Sequence, residues 1–207
     1  MRKPGVPLPG AGFPPQKGQS TRVMGVDPGL VVTGFGVIEV NPKGFIHYRG
    51  SGAIQSKALP IPQRIQKIFH GLCGQIEKFS PHIMAIERPF IGKNMKSALL
   101  LGQARGTAIL AAAEAGIAIY EYSPLEVKQA VVGFGRAAKE QVQSMICTLL
   151  KTPPNLTQDA ADALAVAICF AHWLPRHILM AKVKKDPSFY GEEGTGKRHD
   201  FGYEDGR

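Results

Sequence analysis

Cysteine and tryptophan are scarce in this 207-residue chain: one Trp and three Cys, at positions 73, 147 and 169. The cysteines lie far apart, with no C-x-x-C pair and no Cys/His set at metal-ligand spacing, which argues against a disulfide scaffold and a zinc site and for buried thiols in a reducing compartment. No apolar run approaches the roughly 20 residues of a membrane-spanning helix, the start of the chain lacks a signal-peptide core, and there is no internal repeat. A cytoplasmic protein without membrane contact is expected. Acid is scarcer than base, 16 Asp and Glu against 25 Lys and Arg, for a net charge of +9 and a pI near 9.6. Without residues 1–20 and 176–207 the balance is still 15 basic to 10 acidic. Such an excess suits a polyanionic partner such as nucleic acid, bound in a salt-sensitive way, although a basic protein without that partner has the same charge.

With 44% hydrophobic residues the chain can bury one sizeable core, so one domain with appendages is expected. Residues 1–20, with five prolines and four glycines, read as a disordered basic arm. Residues 21–175 read as the folded domain and 176–207 as a polar, mobile tail, in which Phe189, Tyr190, Phe201 and Tyr203 are candidate docking points.

Within the domain, VMGV, VTGFGVIEV and FIHYRGSGAI are strand-like runs joined by short Gly/Pro/Asn turns, the pattern of an antiparallel meander. Ile65, Ile68, Phe69, Leu72 and Ile76 recur at helical spacing over 61–79, closed by Ser80-Pro81. HIMAIE is a strand ending on Glu87; Lys96 to Ala115 is a long Ala/Leu-rich helix stopped by Gly116; IAIYEY is the next strand. A short helix over 124–129 leads to the Gly-rich loop VVGFGRAAKE and a helix over 141–150, and a last helix begins after Thr157, a plausible N-cap. Together these elements give an α/β fold, a mixed sheet with helices on both faces.

Asp27 ends the first strand, Glu87 ends the fourth, and Asp159 and Asp162 open the last helix at i and i+3, on one face. Strand ends on one sheet edge gather residues from distant parts of a chain, so the four acids are candidates to meet. Packed alone, like charges raise one another's pKa; divalent cations relieve this, and oxygen ligands without Cys or His favour Mg²⁺ or Mn²⁺. Two such ions would activate a water and stabilise the leaving oxygen of a phosphodiester. Each acid also has a plain structural reading. Asp27-Pro28-Gly29 is good turn chemistry, Asp159 and Asp162 suit a helix N-terminus, and Glu87 can pair with Arg88.

GVDPGLVVTGFGVIE, IERPFIGKNMKSALLLGQARG, EYSPLEVKQAVVGFGRAAKEQVQ and DAADALAVAI, spread over about Val23 to His172, resemble the successive blocks of the RuvC family of Holliday-junction resolvases. The resemblance implies a ribonuclease H-like five-stranded domain over 21–175, a homodimer, and Mg²⁺-dependent cleavage of four-way DNA junctions, with two ions per subunit and Mn²⁺ able to substitute. It also implies cooperation with a branch-migration helicase. The family's catalytic, metal-binding acids fall on Asp27, Glu87, Asp159 and Asp162. Some members carry histidine at the position matching Asp159; this chain has the all-carboxylate set. Phe90 matches an aromatic that stacks on a base near the crossover, against a core-phenylalanine reading of the same residue. Lys128 and Lys139 match lysines near the cleaved backbone, while Lys93, Lys96 and Arg105 are further candidates for phosphate contact, against the reading of solvated helix faces.

The expected reaction is hydrolysis without a covalent intermediate, leaving 5′-phosphate ends, with the charge of Asp27 compensated by metal rather than by a protein cation. The helix over 96–115 is a candidate for the dimer interface, and intramolecular packing explains the same composition. Two other readings stand beside this one. An actin-like nucleotide-binding fold would want a second phosphate loop and a glycine block for adenosine, and neither is found. A junction-binding protein that does not cut would gain nothing by facing phosphates with four carboxylates.

Overall fold

The computed structural model describes residues 18–88 and 95–185, with side chains to 174. Three strands, β1 (Thr21–Asp27), β2 (Val32–Val40) and β3 (Ile46–Gln55), form the antiparallel meander. Helix α1 (Ile61–Phe79) then carries the chain to β4 (Ile83–Glu87), which lies parallel to β1 on its free side. Helix α2 (Met95–Glu114) leads to β5 (Ala118–Tyr122), parallel to β4, and α3 (Pro124–Val132), α4 (Lys139–Leu150) and α5 (Gln158–Lys185) follow. The sheet order β3-β2-β1-β4-β5 puts β1 at the centre of five strands.

Alternation along the central strands builds two cores. Met24, Val26, Met84 and Ile86 pack with Ile68 and Leu72 of α1 and Ala104, Ala108 and Ala112 of α2. Val23, Ile83, Ala85, Tyr120 and Tyr122 face the other way, onto α3, α4 and α5, where Phe170 meets the Tyr120 ring edge-on. Helices thus cover both faces, the ribonuclease H-like arrangement. Cys169 is buried in the second core, and Cys73 and Cys147 are partly covered.

Local chemistry sets the ends of these elements. Ser80 closes α1 in the left-handed conformation, φ 44°, and its N–H donates to the Ile76 carbonyl. Arg22 fastens β1 to this corner through Nε bonds to the Phe79 and Ser80 carbonyls, while its backbone N–H donates to His82 Nδ1. Helix α3 runs past Gln129 to Val132, because Val131 is a buried core residue and Gly133, at φ 83°, is the actual cap. Helix α4 starts at Lys139 rather than Gln141, whose side-chain oxygen instead accepts from the Ala138 N–H just before the helix. Helix α5 continues through Pro175 to Lys185, beyond the expected edge of the domain. A proline inside a helix removes one hydrogen bond, and here Arg, Leu, Met, Ala and Lys, strong helix formers, follow it.

Candidate active site

The register brings the first two acids together. Val26 pairs with Ile86 across the parallel β1/β4 ladder, so Asp27 and Glu87 are the next residues out, on adjacent strands about 4.8 Å apart. Val26 and Ile86 point to α1 and α2, so alternation turns both carboxylates toward α5. The turn after Asp27 is pinned: the Thr33 hydroxyl donates to the Gly29 carbonyl at 2.8 Å, and the Ser56 hydroxyl donates to the Leu30 carbonyl at 2.8 Å. Asp27-Pro28-Gly29 is therefore a fixed turn that holds the Asp27 carboxylate at the end of β1.

The second pair arrives on α5. Thr157 caps this helix, its hydroxyl accepting from the Ala160 N–H at 3.4 Å. Gly34, the cross-strand partner of Asp27, lets the first turn lie directly on the sheet: a Cβ there would sit 2.0 Å from the Asp159 carbonyl oxygen and 3.2 Å from its Cβ. Asp162 follows on the same face, where Gln158 Nε2 donates to its Oδ1 at 3.0 Å and Lys139 Nζ stands 3.5 Å from its Oδ2.

The acids sense one another. Burial, followed by the charge of Asp162, pushes Asp27 up to about 6, with Asp159 adding to the rise and Lys139 opposing it. Burial raises Glu87 to about 7, with Asp27 and Asp162 contributing and Lys139 and Lys128 opposing. The same field holds the Lys139 ammonium above its ordinary range, led by Asp162. Lys139 is thus a protein cation beside the cluster, nearest Asp162. Among the described residues, no three acidic, imidazole or thiol groups are drawn together tightly enough to hold a cation as they stand. The donor chemistry nevertheless fits a hard divalent ion: all four groups are carboxylates, and Asp27 and Glu87 are held at unusually high proton affinity by burial and by neighbouring acids of the group.

Asp27 and Glu87 open into a cleft of about 150 Å³ lined also by Pro28, Arg88, Leu101, Arg105 and Pro124. Arg88 pairs not with its neighbour Glu87 but with Glu126, at 3.4 Å, whose same oxygen caps α3 by accepting from the Ser123 N–H at 2.6 Å. Sequence reasoning offered Arg88 only as a surface partner for Glu87; nothing in the local spacing reveals a second acid 38 residues away. Arg105 forms an ion pair with Glu121, and both are largely buried. Lys128 donates to the Ala137 carbonyl at 2.8 Å. Lys96 lies on the exposed first turn of α2, and Phe90 and Lys93 fall outside the described residues.

Arg105→Met is expected to leave the Glu121 carboxylate without its partner and to destabilise the fold by about 2–3 kcal/mol. Urea unfolding measures this, and a change below about 0.5 kcal/mol would show the pair to be dispensable.

Residues 23–170, a span containing all four acids, match the family model described as crossover junction endodeoxyribonuclease RuvC. A protein of that name from Shewanella frigidimarina is 54% identical over 150 residues, 72% of this chain and 86% of the relative. Another, from Photobacterium profundum, is 51% identical over 152 residues, 73% of this chain and 87% of the relative. The structure of T. thermophilus RuvC in complex with Holliday junction substrate superposes with a TM-score of 0.70 at 32% identity, covering 75% of this chain and 96% of that one. With a family model matched over residues 23–170, relatives about half identical over most of both chains and the same fold in a solved member, the chain belongs to the RuvC family of crossover junction endodeoxyribonucleases.

Proposed function

We propose that this chain resolves four-way DNA junctions by hydrolysing one phosphodiester in each of two opposed strands. The observation that carries the reading is the group of four carboxylates, from two parallel strand ends and one helix turn, with two of them raised toward neutrality by burial and mutual charge. Asp27, Glu87, Asp159 and Asp162 are the groups to hold Mg²⁺, two ions per subunit, with Mn²⁺ able to substitute. Bound there, such ions would make a water more acidic and neutralise charge on the phosphate.

The chain's own residues do the rest. The strand ends fix Asp27 and Glu87, Gln158 orients Asp162, and Lys139, well exposed beside the acids, supplies positive charge toward an entering phosphate. Lys128, Lys93 and Lys96 are further phosphate contacts, and Phe90 a base-stacking residue. Water attacks phosphorus in line with the departing 3′-oxygen, leaving a 5′-phosphate and a 3′-hydroxyl that a ligase can rejoin.

Two opposed strands call for two active sites, so the working unit is a homodimer. Met95, Leu99 and Leu110 of α2 are exposed apolar residues available to such an interface, while Ala104, Ala108, Ala111 and Ala112 are spent on intramolecular packing. The domain from residue 21, carried by α5 past 175 to Lys185, the flanking arm and tail, a cytoplasmic location and cooperation with a branch-migration helicase complete the proposal. Among the described residues no helix is long and apolar enough to cross a membrane.

Incubating the protein with an end-labelled four-way junction and Mg²⁺ is expected to give paired, ligatable nicks, abolished by EDTA. A junction left intact across varied core sequences and metals would overturn the reading and favour a binder that does not cut.

A further inference from the structure

The loop between α3 and α4, GFGRAA, is held on either side of its tip. Gly133 caps α3, its N–H donating to the Gln129 carbonyl at 3.0 Å. Lys128 reaches across to the Ala137 carbonyl at 2.8 Å, Ala137 is buried, and Gln141 accepts from the Ala138 N–H at 2.9 Å. Gly135 lies so close to Leu125 that a Cβ would meet Leu125 Cδ1 at 2.0 Å. Between these fastenings stands Phe134, 51% exposed.

A half-exposed phenylalanine on a fixed loop is poorly explained by packing, because Val127 and Val131 of α3 fill the core beneath it. The loop and the helix ends beside it carry Lys128, Arg136 and Lys139, with Glu126 and Glu140 just outside them, and Arg136 lies two residues from the ring. Of the two flanking lysines, Lys139 stands 3.5 Å from Asp162 of the acid group, and Lys128 ties the loop to α3. Pro124, which precedes the Leu125 that supports the loop, lines the acid cleft itself. An aromatic face set among cations suits one ligand chemistry: an unpaired nucleobase stacked on the ring while its phosphates lie against the cations. At the exchange point of a four-way junction base pairs lose a stacking neighbour and are the easiest to open into such bases.

We propose that Phe134 is a base-stacking platform for the strand leaving the active site, with Arg136 on the adjoining phosphate, a contact separate from that expected of Phe90. The inference rests on the junction reading above. Phe134 touches no reacting atom, so its task is positioning: it holds the strand in register so that one phosphate lies before Asp27 and Glu87.

The test pairs protein variants with DNA lesions. Junction binding is measured with Ca²⁺ in place of Mg²⁺, which removes cleavage from the readout, on junctions carrying a single abasic nucleotide at successive positions about the crossover. For wild type, one position is expected to weaken binding about 10-fold when its base is removed. Phe134→Ala is expected to bind the intact junction about 10-fold more weakly and to show no further loss at that position, while Phe134→Trp restores both. Thermal midpoints of the three proteins are expected to agree within about 1–2 °C, since the ring is exposed. Abasic profiles of the same shape for wild type and Phe134→Ala, or an equal loss of affinity for linear duplex, would overturn the proposal and point to a protein partner or a structural role. A wild type that binds with this profile but never cuts in Mg²⁺ would defeat the cleavage reading alone.

Discussion

Glu87→Gln is expected to end cleavage and, in the same molecule, to raise the stability of the metal-free protein. Loss of a carboxylate at the centre of the cluster removes a cation ligand, and a fall in rate on the order of 10²–10³ or more is expected, as for other lost electrostatic groups in active sites. The gain in stability follows from the raised pKa. In the folded chain Glu87 titrates near 7 rather than at its ordinary 4.5, so between those values the folded state holds protons that the unfolded state has released. Stability therefore falls as pH rises through this window and is lowest above it. The full displacement corresponds to ~3 kcal/mol, an upper bound because the field is shared with Asp27 and Asp162.

At pH 8 in EDTA the glutamine variant is thus expected to melt higher than wild type by about 3–6 °C, and at pH 4 the two should converge. Asp27→Asn follows the same logic over a lower window, from 3.8 to about 6. Divalent cation is expected to stabilise wild type at pH 8, by mass action on the folded state, and to do little for the glutamine variant. Melting curves at the two pH values, with and without Mg²⁺, alongside a gel cleavage assay, decide the matter. A Glu87→Gln protein that melts lower at pH 8, or that cuts as wild type does, would contradict this account of the site.

Glu87 was readable as an acid closing the run HIMAIE, and its place on a strand end followed from the apolar pattern. That β4 lies beside β1 and not beside β3 depends on the crossover through α1, which is settled by packing both sheet faces rather than by any local signal. The alternation in IAIYEY marks Glu121 as facing away from Tyr120 and Tyr122, but its pairing with Arg105 appears only when α2 is laid on that face. Arg105 looked like one more cation in GQARG for this reason. The end of α5 shows the opposite failure: a local rule about proline was readable and overridden. Phe134 was visible inside a Gly-rich loop, whereas its exposure is a property of how Lys128 and Leu125 hold that loop.

The largest loss of stability is expected from adding a single methyl group at Gly25. A Cβ there would lie 1.9 Å from the Ala163 carbonyl oxygen and 2.8 Å from the Ala167 N of α5. Both are backbone atoms inside a helix, so no side-chain rotation relieves the clash. β1 cannot retreat either, since it is bonded to β2 on one side and β4 on the other. The helix must lift by roughly 1 Å or more, opening the core around Leu164, Ile168 and Phe170, and the cost is expected to exceed about 3 kcal/mol, above the usual range for overpacking because the colliding groups are rigid. Gly34→Ala makes an instructive contrast. Its Cβ would meet the Asp159 carbonyl oxygen at 2.0 Å, but this is the first turn of α5, where a helix yields most easily. The expected result is a smaller loss of stability, about 1–2 kcal/mol, with Asp159 and Asp162 displaced from Asp27 and cleavage reduced far more than junction binding. Urea unfolding of the two variants, with cleavage and binding measured on Gly34→Ala, separates the roles. If Gly25→Ala unfolds within 1 kcal/mol of wild type, α5 is not seated on β1 as described, and the placement of the acid pair on its first turn loses its physical basis.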